Sequence, residues 1–177
     1  MASQLGFDQW QSTGGVVRNT VVQTLQYHYT ERWTQAIANG TTWYDTPMIV
    51  TITPRAANSK IIGMFTGILG TEYWELQGRI IRNGTTVVQQ GDAAGSRSRA
   101  GFNFIYFDYL STSYYNTYNI SYNFRDTPNS TSPVTYRLQL NGYNTKTMVL
   151  NGIHNESNNL DYDGCPTSQL TIMEITQ

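Results

Sequence analysis

Cysteine occurs once in the 177 residues, at position 165. An intrachain disulfide is therefore excluded, and so is a zinc site made of several cysteines. Histidine is nearly as scarce, with only His28 and His154. Charged side chains make up 13 % of the chain and the formal net charge is -1, so no electrostatic surplus draws it to a nucleic-acid backbone or an anionic membrane. No run approaches the roughly 20 apolar residues of a membrane span. The start, Met1-Ala2-Ser3-Gln4-Leu5-Gly6, lacks the basic-then-apolar signature of a signal peptide. These absences predict a soluble protein made in a reducing cytosol, with neither nucleic acid nor membrane as partner. Helical periodicity is missing too, since no segment repeats apolar residues at i, i+3, i+4 and i+7.

What is present is β chemistry. Aromatic residues reach 13 %, thirteen of them tyrosine, and Thr, Asn, Ser and Gln are abundant, a mixture suited to strands with a polar, weakly charged surface. At 20.0 kDa the chain fits one domain with a sizeable core, or one domain plus an arm. The segment Tyr73-Trp74-Glu75-Leu76-Gln77-Gly78-Arg79-Ile80 alternates with a period of two, which predicts Trp74, Leu76 and Ile80 on the core face and Glu75, Gln77 and Arg79 on the solvent face. Asn83-Gly84 follows, the pair best suited to the positive φ angles of a two-residue type I′ hairpin turn, and Thr85-Thr86-Val87-Val88 returns. A glycine-rich, basic loop, residues 91–101, then leads into the aromatic strand Phe102-Asn103-Phe104-Ile105-Tyr106-Phe107.

Elsewhere the same period predicts a first strand from Thr20 to about Trp33, with Val21, Leu25, Tyr27, Tyr29 and Trp33 on one face. Met48, Val50 and Ile52 fall in step before Pro54, which stops the ladder because proline has no N–H to donate. Strands follow at 60–65, 118–124, 136–140, 146–151 and 169–175. Roughly nine or ten strands, spaced by about 8 to 15 residues, predict an all-β antiparallel sandwich, jelly-roll-like, over residues 19–177. Residues 1–18 show no sustained period. They read as an N-terminal docking arm whose Leu5, Phe7 and Trp10 need a partner surface to escape water.

The residues offer little for catalysis. His28 sits inside a strand between two tyrosines, and His154 lies in a loop beside Asn155 and Glu156. A metal cluster drawn from His154, Glu156, Asp161 and Asp163 lacks the remaining ligands of a Ca²⁺ loop at their required places. Nothing nominates a pair among the scattered carboxylates for glycoside cleavage, and Gly91-Asp92-Ala93-Ala94-Gly95-Ser96 has neither the lysine nor the following helix of a phosphate loop. The reading is no enzyme, no bound metal and no cofactor. Arg97 and Arg99 carry more information: on one strand they point the same way and form a donor patch for a carboxylate of a ligand or a neighbouring subunit. Tyr109, Tyr114, Tyr115 and Tyr118 are candidate ligand-facing aromatics, because tyrosine offers large area at low entropic cost.

Several blocks run in order over about 125 residues: Thr51-Ile52-Thr53-Pro54 with Ser59-Lys60-Ile61, the loop Gly91-Asp92-Ala93-Ala94-Gly95-Ser96-Arg97-Ser98-Arg99-Ala100, Phe124-Arg125-Asp126-Thr127-Pro128, and Leu170-Thr171-Ile172-Met173-Glu174-Ile175. In these the chain resembles a family of small β-domains from virion proteins of tailed bacteriophages, especially those infecting cyanobacteria and other aquatic bacteria. The resemblance implies a trimeric jelly-roll-like module on the particle surface, as in tail fibres, neck fibres or capsid decorations. In fibres such a module caps a long shaft, whereas here it takes up almost the whole chain. The expectation is therefore a virion-surface protein made in the host cytoplasm: a homotrimeric capsid decoration (cement) or head-fibre protein, held by its arm to the major capsid or another virion protein. The alternative is a tail-fibre tip that recognises a host cell-surface glycan.

Overall fold

The computed structural model describes residues 20–71, 75–105, 117–142, 146–157 and 163–176. They form eleven strands and no helix: β1 (Thr20–Tyr29), β2 (Trp33–Ala36), β3 (Tyr44–Ile52), β4 (Lys60–Thr71), β5 (Glu75–Arg82), β6 (Thr86–Val88), β7 (Phe102–Ile105), β8 (Thr117–Asp126), β9 (Val134–Gly142), β10 (Thr147–Leu150) and β11 (Ser168–Thr176). The arm residues Leu5, Phe7 and Trp10, the strand residues Trp74, Tyr106 and Phe107, and the boundary at residue 18 lie outside the described residues.

The pairing is antiparallel throughout. In the first sheet β1 pairs with β11 and β2 with β10; β11 and β10 both pair with β4, and β8 lines its other side. Four strand positions result, because β1 continues as β2 and β10 lies end to end with β11. The second sheet runs β3, β9, β5, with β6 and β7 sharing the far side of β5. Successive strands mostly change sheet, and two four-position sheets with this order are a jelly roll, as the alternation of the sequence predicts.

Inner faces are filled by the residues of one parity. Ile61, Phe65 and Leu69 of β4, Leu76 and Ile80 of β5, Tyr136, Leu138 and Leu140 of β9, and Leu170 and Ile172 of β11 are all wholly buried. Rings connect the two layers: Phe65 stacks with Phe102 at 6.2 Å, Phe102 meets Tyr122 at 5.5 Å, and Phe124 meets Tyr136 at 5.7 Å. One charged clamp joins the sheets as well. Arg82 of β5 donates to both carboxylate oxygens of Asp126 on β8, and the buried Tyr136 hydroxyl of β9 donates to the same carboxylate at 2.7 Å. Burial, and secondarily the Asp126 charge, pushes the Tyr136 phenol far above its ordinary range, so it stays a neutral donor.

Three details depart from the sequence reading. The first strand divides at residues 30–32 into β1 and β2. A bulge between Val21 and Gln23 then moves Val21 off the core face, leaving it 50 % exposed, because one extra residue inverts the parity of everything upstream of it. The hairpin after β5 is longer than expected: Asn83 and Gly84 both have positive φ and Thr85 donates to Arg82 at 3.1 Å, but Arg82 pairs with Thr86, so three residues form the connection. The register is fixed by Asn83, whose side chain accepts from the Thr135 amide while its own amide donates to Thr135.

Candidate functional site

The sequence-derived candidates do not converge on one place. Arg97 and Arg99 lie on a closed loop, not a strand. Gly91 donates to Ala100 across its neck at 3.0 Å. The Arg99 Nε donates to the Gly91 carbonyl at 2.7 Å and the Arg97 Nε to the Ala94 carbonyl at 3.3 Å, so each guanidinium is oriented by its own loop. Tyr118 faces inward from β8, with its ring 4.1 Å from that of Phe104. Tyr109, Tyr114 and Tyr115 are outside the described residues, as is Asp161.

The other members of the acidic loop cluster have structural partners. Glu156 receives the Arg32 Nε at 2.9 Å, and Asp163 accepts from the Ser157 amide at 2.7 Å. Glu156, Ser157, Asp163, Gly164 and Cys165 line a hollow of about 430 Å³. Among the described residues no group of three or more His, Cys, Asp and Glu is placed to hold a metal ion.

The informative contrast is between the two outward sheet faces. On the second sheet the face is a polar network: Arg137 pairs with Asp45, Gln139 donates to Asp45 at 2.7 Å, Arg79 donates to Gln139 at 2.9 Å, and the Arg79 guanidinium lies 4.2 Å from the Trp43 ring centre. Burial pushes the Asp45 carboxyl up, but the hydrogen bonds from Gln139 and Arg137 outweigh it and hold it below its ordinary value. Asp45, Gln139, Arg137 and Arg79 thus satisfy one another across the strands, with Ile49 and Ile81 beside Arg137 in the register.

The first sheet's outer face is different. Its odd-numbered β11 residues and even-numbered β4 residues point outward, and at the end where β1 begins they are apolar. The register aligns Val21 with Ile175, Met173 with Ile62, and Met64 beside them across Thr171. None of Ile62, Met64, Met173 and Ile175 is fully buried, and Val21 is half exposed. A groove of about 620 Å³ runs along this patch, lined by Ile62, Met64 and Met173 on one side and Asn123, Arg125 and Gln89 on the other. The rim carries Lys60 and Arg125, both exposed and neither in an ion pair among the described residues. Sequence reasoning missed this patch because the β4 run Lys60-Ile61-Ile62-Gly63-Met64-Phe65 is apolar at both parities. Apolarity at both parities was the available signal, since a strand with one wet face normally shows a polar parity.

Gln89 was also missed. At φ 48, it turns its side chain onto the open edge of β8, accepting from the Arg125 amide at 2.9 Å and donating to the Asn123 carbonyl at 3.4 Å. Its carbonyl accepts from the Tyr122 hydroxyl at 2.7 Å. An edge so occupied is blunted against strand addition.

No protein-family model and no curated protein sequence matches the chain. Solved structures of similar strand arrangement come from infectious bursal disease virus. The virus-derived T=1 particle matches at 12% identity and a TM-score of 0.40 over 98% of this chain and 42% of that one. The virus Gt strain structure matches at 11% and 0.41 over 95% and 44%, and the VP2 subviral particle at 10% and 0.37 over 98% and 44%. The chain thus spans less than half the length of the structures it is similar to.

Proposed function

We propose that this chain is a non-enzymatic bacteriophage virion structural protein, a small trimeric capsid decoration or head-fibre protein attached through residues 1–18. The observation that carries this reading is the apolar end of the first sheet's outer face, set against the hydrogen-bonded polar ladder on the second. Val21 is half exposed and Ile62, Met64, Met173 and Ile175 are only partly covered. This face therefore keeps apolar area that a protein working by adhesion can bury against a partner. The resemblance to tailed-phage surface domains and the jelly roll support the same reading. Deleting residues 1–18 is expected to leave a folded domain that no longer co-sediments with particles; normal attachment by the truncated chain would refute the proposal.

A second reading, recognition of host glycan, is favoured by Trp43 beside the Asp45, Gln139 and Arg137 ladder, a pairing of ring and planar polar groups suited to sugars. It predicts glycan-array binding that is lost in Trp43→Ala, and a blank array removes it.

A further inference from the structure

We propose that the apolar patch on the first sheet is the seat for the N-terminal segment of a second copy of this chain, so that exchanged arms clasp the trimer together. The inference rests on the reading of residues 1–18 as a docking segment and adds a neighbouring copy of this chain to the surfaces they dock to. Three observations carry it.

The first is position. The undescribed segment joins the domain at Thr20, next to Val21 and Ile175, at the apolar end of the face. The second is reach and direction. The ten residues from Trp10 to Thr20 span at most about 35 Å, more than twice the roughly 15 Å across four strand positions. A chain continuing the line of β1 would leave the sheet past its Thr20 end, where a second copy can receive it. The β1 edge is open there among the described residues.

The third is chemistry. Leu5, Phe7 and Trp10 match the half-exposed Val21 and the partly buried Ile62, Met64, Met173 and Ile175. Asp8 is the only charged side chain between residues 1 and 17. It stands between Phe7 and Trp10, while Lys60 and Arg125 border the patch without an ion pair among the described residues. Apolar anchors flanking one carboxylate fit an apolar groove with a basic rim.

Cross-linking in the full-length chain tests this. In a Cys165→Ser background, a chain carrying Gln9→Cys is co-expressed with one carrying Asn123→Cys and treated with a short bismaleimide linker. A two-chain product on a denaturing gel is expected, and it should disappear when Met173→Glu is added to the Asn123→Cys chain. No two-chain product overturns the proposal, and so does a double variant that links only within one chain, since the arm then covers its own face. If deletion of residues 1–18 leaves a trimer by light scattering but abolishes particle attachment, the arm serves the particle alone: the inference falls and the proposed function stands. If the cross-link forms yet the truncated chain still joins particles, the arm-mediated attachment falls and the inference stands.

Discussion

Glu174→Gln is expected to destabilise the domain by about 2 to 4 kcal/mol at neutral pH, read as a lowered midpoint in urea. Glu174 points inward from β11 and is 0 % exposed, yet no cationic side chain pairs with it among the described residues. Its charge is held by donors instead. The Ser59 hydroxyl donates to Oε1 at 2.5 Å, the Arg55 amide to the same oxygen at 2.7 Å, and the Gln23 amide nitrogen to Oε2 at 2.5 Å. These groups come from the β3–β4 connection and from β1, so one carboxylate ties three separate pieces of chain together. Glutamine keeps the shape but replaces an acceptor oxygen with an NH₂ that faces other donors, leaving at least one of them buried without a partner.

The same site sets an acid limit. Burial pushes the Glu174 carboxyl up, but the bonds from Ser59, Gln23 and the Arg55 and Ala56 amides outweigh it and hold the group below its ordinary 4.5. A depressed folded value means that the unfolded chain binds the proton more readily. The stabilisation is therefore complete well above 4.5 and is lost as pH falls through that value towards the folded one. Urea midpoints of wild type and Glu174→Gln should differ at pH 7 and converge in strong acid; a gap that stays constant with pH would refute the assignment.

Gly63→Ala is expected to be as damaging, about 3 kcal/mol or more, although alanine in a strand normally gains roughly 0.5 to 1 kcal/mol over glycine. Gly63 pairs with Phe124 across β4 and β8, and the Phe124 ring lies flat over the glycine backbone. A Cβ added there would stand 2.0 Å from the ring, far inside the contact distance of about 3.5 to 4.0 Å between carbons. The ring has nowhere to go, being 1 % exposed and packed between Tyr122 and Tyr136. The overpacking cost therefore exceeds the entropic gain. Gly91→Ala is the control, since its Cβ would meet nothing nearer than 3.8 Å, and it should leave the midpoint nearly unchanged. Equal midpoints for the two variants would show that Phe124 can move aside.

Gly63 also marks where reading the sequence stopped. The run 60–65 is recognisable as a strand from its apolar content, but a glycine in it looks like a weakness. Only the pairing with Phe124, 61 positions away in the chain, turns it into a ring socket, and Gly78 under Phe102 repeats the device. The arginines of the glycine-rich loop illustrate the converse. Their residue types were legible, but their orientation depended on the Gly91 and Ala94 carbonyls, which no local pattern specifies. Glu174 reads as one polar residue in an apolar strand, and its donors come from Gln23 and from residues 55–59, far away in sequence.

The sequence by itself determined the all-β class, the parity of most strands and the position of the Asn83-Gly84 turn, because alternation and turn chemistry are local and act over two to four residues. Tertiary structure alone decided which parity would face water on β4 and β11, and hence that Ile62, Met64, Met173 and Ile175 would form one patch with the Val21 that a bulge had turned outward. That outcome depends on which strands become neighbours and in what register, and those long-range pairings leave no mark at any single position of the chain.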